Sequence, residues 1–295
     1  MRIALALLLL MPALSLAQAP DSDAKQATVK FILALQDPAT GGFKVEATGK
    51  PSLRACNGAV KALRALGEKV PHEEKVKAFV LSCYDEKTGT FAEPGSKPDV
   101  AINAVGVIIA IEMGIPKAKF AGAMKYLEAH AKTFEGVRIS AAAVEAWGVK
   151  DCPFKLDAWI AIADDFGEEI ANIAQDGGAR DIGSLMAFYF RLDAPSEGRD
   201  KLKAVLVNIA DLGEVADGGW RKTGEKSSDL ETCYRIMRAL VLAKAKPKNL
   251  AGVKTFITTC RNADGGYGVK PGAPSTMSGV YYATITGKWI TTLEK

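Results

Sequence analysis

Histidine is nearly missing from this sequence: His72 and His130 are the only two in 295 residues. One falls at the start of a helical pattern and the other near the end of another, so each reads as a solvent-facing side chain rather than a ligand. Strand signals are scarce too. Alternating β-branched runs bounded by tight turns hardly occur, which leaves an all-α chain. No Gly-x-Ser-x-Gly elbow, phosphate loop or His-Glu-x-x-His is present. Lys and Arg are spread along the whole chain without a basic block, so a nucleic-acid groove is not expected. Long apolar runs are limited to Ile3–Leu10 and Ile102–Ile111. The second is interrupted by Asn103 and Gly106 and stops at Glu112, as a buried helix would, so no membrane-spanning segment is expected in the mature chain.

The first apolar run has a different meaning. Arg2 precedes it and Ser15-Leu16-Ala17 follows, a small-x-small cleavage signal, so residues 1–17 read as a secretory leader. The chain is therefore expected to be exported, periplasmic or secreted, with residues 18–295 forming a single domain. The formal net charge of +4 becomes +3 when Arg2 leaves with the leader. An apolar share of 48% suffices for a large core. Five cysteines cannot all pair with one another. Cys56, Cys83, Cys233 and Cys260 each sit inside apolar helical patterns, where a thiol serves as a small hydrophobe, and buried thiols are favoured over disulfides.

What dominates the chain is a repeat. Gly41-Gly42-Phe43, Gly89-Thr90-Phe91, Asp217-Gly218-Gly219-Trp220 and Asp264-Gly265-Gly266-Tyr267 share a turn signature, with weaker copies at Glu135-Gly136-Val137 and Asp176-Gly177-Gly178-Ala179. The final residues of these copies are spaced by 48, 46, 42, 41 and 47. A near-constant period of this size signals stacked helical hairpins, because one hairpin cannot bury its apolar face alone. After each turn a helix is expected, over 53–66, 100–113, 229–243 and 276–286, with Gly67, Gly114 and Pro247 closing the first three. A second helix follows, over 74–83 or 249–260. Two hairpins agree closely: an offset of 177 carries Leu53 onto Leu230, Cys56 onto Cys233, Ala62-Leu63 onto Ala239-Leu240 and Cys83 onto Cys260. The glycines supply positive φ where the chain reverses, and the aromatic that follows wedges between hairpins.

Asp-Gly-Gly-aromatic, a polar loop, Ser-Asp-Leu and a helix carrying Thr232-Cys233-Tyr234 together resemble the repeat of protein prenyltransferase β subunits. Squalene and oxidosqualene cyclases carry a related repeat. The resemblance is carried best by 217–240 and 264–282 and covers nearly all of the mature chain. It implies an α/α toroid, six inner helices ringed by six outer ones around a central apolar funnel. It also implies a functional neighbourhood, from which Asp229, Glu231, Cys233, Tyr234, Trp220, Tyr267 and Tyr281 emerge as ligand-binding candidates.

The chemistry of that family is not fully present. Its transferases hold a catalytic Zn²⁺ through an Asp, a Cys two residues later and a His in the last repeats, leaving one position for a thiolate. Cys233-Tyr234 matches, but Glu231 stands in place of the Asp, and the stretch 275–282 that should carry the His has none. Zinc on Glu231 and Cys233 is thus disfavoured and no cofactor is expected. The acidic Asp-x-Asp-Asp of the cyclases is absent; Asp164-Asp165 lacks the first Asp. Asp99, Asp181, Asp229 and Glu231 provide spare carboxylates that could serve a carbohydrate-active toroid, although each is also a helix-start charge. Three readings stand in order: a noncatalytic exported toroid binding an apolar, isoprenoid-like or lipid-like molecule or a protein partner; an active transferase or cyclase with an altered site; and a carbohydrate-active enzyme.

Overall fold

The computed structural model describes residues 20–170, 178–194 and 199–295. The expected leader, residues 1–17, lies outside the described residues, as do Asp176, Gly177 and Pro195. Among the described residues the chain is a closed double ring of α-helices with almost no sheet.

The inner ring is α2 (Leu53–Ala65), α4 (Val100–Glu112), α6 (Phe134–Trp147), α8 (Ala179–Arg191), α10 (Leu230–Leu242) and α12 (Met277–Glu294). Each packs on the next, and α12 returns to α2 to close the circle. The outer ring is α1 (Pro20–Ala34), α3 (Glu73–Ser82), α5 (Gly122–His130), α7 (Asp157–Ile170), α9 (Arg199–Gly213) and α11 (Leu250–Thr259). The six hairpins and the α/α toroid expected from the repeat are therefore present. A two-stranded ribbon of β1 (Tyr84–Asp85) and β2 (Thr90–Phe91) is the largest piece of sheet among the described residues. No described helix is long and apolar enough to cross a membrane.

Five of the six inner helices begin in the same way. Ser52, Asp99, Thr133, Asp229 and Thr276 adopt extended backbone, and each side chain accepts the N–H three residues on. Such caps satisfy donors that the first helical turn leaves open, for about 1 kcal/mol each. The starts are also tied to one another around the ring. Leu230 N–H donates to Val269 C=O, Met277 N–H to Val45 C=O and Leu53 N–H to the Glu93 carboxylate. All inner N-termini thus gather at one end of the barrel and all C-termini at the other.

The turns do what the Gly-Gly-aromatic pattern demands. Gly218 has φ +86° and any Cβ there would meet the backbone of Gly252; a Cβ on Gly219 would meet Phe256 of α11. The chain can reverse against the outer helix only with glycine at both positions. The aromatic is then driven inward: Phe43, Phe91 and Trp220 are fully buried, and Trp220 Nε1–H donates to Ala210 C=O at 2.8 Å. Its own backbone N–H needs a partner inside the core, and the inner helix supplies one four residues after the cap. Phe43 N–H meets Cys56 Sγ at 3.1 Å, Trp220 N–H meets Cys233 Sγ at 3.4 Å, and Phe91 N–H meets Asn103 Oδ1 at 2.8 Å. Cys56 and Cys233 are thus buried acceptors. All five cysteines are unpaired, and only Cys152 keeps partial exposure.

Three expectations change. Glu135-Gly136-Val137 is not a turn but the first turn of α6, where Thr133 caps Gly136 N–H at 3.2 Å. The last helix runs to Glu294 rather than 286, because nothing after Thr286 breaks it and Ile290 still reaches the core. At the end of α10 the left-handed position is held by Lys244, φ +53°, where the equivalent of α2 uses Gly67 at +76°, and Pro247 comes three residues later.

Candidate functional site

The inner helices enclose a cavity of about 400 Å³. Its wall follows from cap geometry. Positions two, five, six and nine beyond a cap lie on one helical stripe, and in α10 these are Glu231, Tyr234, Arg235 and Arg238. In α2 they are Arg54, Asn57, Gly58 and Lys61, and in α12 Ser278, Tyr281 and Tyr282 take the first three. Val105, Ile108, Ile139, Ala142 and Ala146 form an apolar strip on the α4 and α6 side.

At the end where the inner helices start, the carboxylates are interlocked with cations in short ion pairs. Arg235 donates to Glu231 Oε1 at 3.0 and 2.6 Å and reaches Glu135 Oε1 at 3.0 Å. Glu135 Oε2 in turn takes Arg138 at 2.9 and 2.6 Å. Arg180 and Lys222 lie 3.6 and 3.8 Å from Glu231. Burial alone would raise both carboxyls, but the surrounding cations outweigh it: Glu231 is held below its ordinary range and Glu135 falls to about 2.

Toward the other end cations outnumber their partners. Arg238 Nη2 lies 2.7 Å from both oxygens of Glu145, and Arg191 Nε stands 3.2 Å from the same carboxylate but off its line. Glu112 is occupied by Arg64 at 2.5 Å. Lys61 lies deep in the barrel with part of its surface open to the cavity, and no carboxylate among the described residues is within ion-pair distance; burial pushes its ammonium downward. Between these cations Tyr234 and Tyr281 share a hydrogen bond of 2.7 Å, and Tyr234 stacks on Trp289 at 5.1 Å. Burial would raise Tyr234, yet Arg238, Arg191, Lys61 and the Tyr281 bond together bring it below its ordinary value. Tyr281 goes the other way, raised by burial and by Tyr234. Arg191 Nε, Arg238 Nε and Asn57 Oδ1 are buried without hydrogen-bond partners among the described residues.

Of the residues singled out in the sequence, Glu231, Tyr234 and Tyr281 meet on this wall. Asp229 does not: it is 4% exposed and spends its carboxylate on Thr232 N–H and Oγ1–H, both at 2.8 Å. Trp220 and Tyr267 belong to the turns outside the barrel lining. Cys233 lies on the opposite face of α10, two residues from Glu231, with its sulfur on the Trp220 N–H. Burial pushes its thiol well above the ordinary range, whereas a ligand must be thiolate. With Glu231 committed to three cations, the residues present do not fit the zinc site implied by the resemblance. Asp99 caps α4, and Asp181 pairs with Arg180. The funnel itself needs correction, since its wall is charged at both ends rather than apolar. Little in the sequence marks Lys61, Arg138, Arg191, Arg235, Arg238 and Glu145; all but Arg191, whose helix lacks a side-chain cap, can be placed on the wall by counting from a cap.

No curated protein matches this chain. Among solved structures, one titled as the crystal structure of a protein from Actinoplanes superposes with a TM-score of 0.61, covering 93% of this chain and 100% of that one at 13% identity. That likeness concerns the fold. The family described as the prenyltransferase alpha-alpha toroid domain matches residues 2–149 and 183–291, most of the sequence. On that match, joined to a closed ring of six inner and six outer helices, the chain belongs to the prenyltransferase alpha-alpha toroid family.

Proposed function

We propose that this chain is an exported, noncatalytic toroid that binds a small anionic organic molecule in its central cavity. One observation carries the reading: the wall presents Arg54, Lys61, Arg138, Arg191, Arg235 and Arg238 against Glu112, Glu145 and Glu231. Buried charge without a partner is costly, so a cavity with a surplus of cations favours an anion inside it. Its volume of about 400 Å³ suits a small molecule rather than a peptide segment. The apolar strip on α4 and α6 gives an organic portion somewhere to lie, which turns the apolar ligand expected from the sequence into one with a charged head.

The noncatalytic part rests on the carboxylates. Glu231, ion-paired and held ionised, has no proton to donate as a glycosidase acid must. Asp99 and Asp229 are engaged as caps. Export rests on the leader-like residues 1–17. Native mass spectrometry of the mature protein, purified from the exported pool without added metal, tests the reading. The expected result is an added mass that anion exchange or mild acid removes. Retention of a neutral hydrocarbon, or a zinc mass with turnover of a prenyl diphosphate, would replace it.

A further inference from the structure

Resting on that reading, we infer that the ligand's head is a doubly charged oxyanion, a phosphate or sulfate ester or a dicarboxylate, seated between Lys61, Arg191 and Arg238 near the carboxyl ends of the inner helices. The end where the inner helices start is the poorer seat. Arg138, Arg180 and Arg235 each already face a carboxylate there, Glu135, Asp181 or Glu231, and the Arg235–Glu135 and Arg180–Glu231 pairs tie α6, α8 and α10 together. At the far end Arg191 and Arg238 share one carboxylate, Glu145, and Lys61 lines the same cavity with none; an oxyanion seated beside Lys61 would offset its burial and keep it an ammonium, so that two positive charges face the ligand.

Helix dipoles oppose this assignment in part. The inner C-termini converge here and contribute a fraction of a negative charge each. They do not partner the Nε–H groups of Arg191 and Arg238, which stay buried and unbonded on cavity-lining side chains. A group with several acceptor oxygens meets both requirements at once: it balances the charge and takes two planar donors plus an ammonium. The Tyr234–Tyr281 pair borders the same space, and the hydroxyl that accepts within the pair keeps its own proton to donate to that group. Ile108, Ala142 and Ala146 line the wall alongside, where the organic remainder would pack.

Calorimetric titration of the mature protein with phenyl phosphate, a dianion at pH 7.5, and with the monoanion benzenesulfonate tests the seat. Phenyl phosphate should bind more tightly by about tenfold or more. Lys61→Gln should lose at least about tenfold more affinity than Arg54→Gln, a cation at the other end of the same wall, and Lys61→Arg should restore it. A single cooperative thermal transition in each variant confirms that it folds. Equal binding of the two anions overturns the double charge. A greater loss from Arg54→Gln overturns the position while leaving an anion-binding cavity standing. If neither anion binds and the exported protein carries none, the functional reading itself falls.

Discussion

At an offset of 177 residues the hairpins of α2 and α10 are the same on the outside of the barrel and different on the inside. Leu53 and Leu230, Cys56 and Cys233, and Leu63 and Leu240 occupy matching buried positions, and both sulfurs accept the N–H of the turn aromatic. The four cavity positions hold Arg54, Asn57, Gly58 and Lys61 in one and Glu231, Tyr234, Arg235 and Arg238 in the other. Close packing explains the first agreement, because each hairpin must present the same surface to its outer helix. Facing a cavity, the inner stripe has no such constraint, and divergence there is where function enters.

The comparison is most sharply broken at the wedges. Trp220→Ala and Phe43→Ala should each lower stability by about 3–5 kcal/mol in urea unfolding. If Phe43→Ala costs much less than Trp220→Ala, the hairpins are not energetic equivalents. On the inner stripe Arg235→Met should cost about 2 kcal/mol, less than a fully buried pair would, since Glu135 is half exposed. Gly58, its counterpart in α2, has no charge to lose.

Acid should dissect the same network. Glu135 and Glu231 titrate below their ordinary range in the folded state. Their contribution is therefore complete above the ordinary carboxyl value of 4.5 and drains as pH falls toward about 2. Thermal unfolding across that window should show a shallower decline for Glu135→Gln than for the unaltered protein. A parallel decline would mean that the pairs contribute nothing.

The caps come next. Asp229→Ala and Ser52→Ala should each cost about 1 kcal/mol by chemical unfolding; a far larger loss from Asp229→Ala would point to a role beyond capping. The smallest effect belongs to Cys233→Ser. The hydroxyl keeps an acceptor for Trp220 N–H, so stability should drop by about 1 kcal/mol or less and ligand affinity should not move. In the native protein a thiol reagent should label Cys152 first, because burial pushes the Cys56, Cys83 and Cys260 thiols up to about 12.

Periodicity, turn glycines and wedge aromatics by themselves determined the number of hairpins, their order and which helix follows each turn, since these depend on local backbone geometry and on one apolar face per helix. Tertiary structure alone decided what the barrel encloses. Glu135 and Arg235 are 100 residues apart and Glu145 and Arg238 are 93 apart, and no local spacing relates either pair until the ring closes. The copy at 135–137 is ambiguous in sequence for a related reason: Gly136 is equally suited to a turn and to the tight first turn of a capped helix, and Thr133 selects the helix. Cys233 looked like a ligand because sequence places it two residues from Glu231. On a helix that spacing puts the two side chains on opposite faces, one in the core and one on the cavity wall.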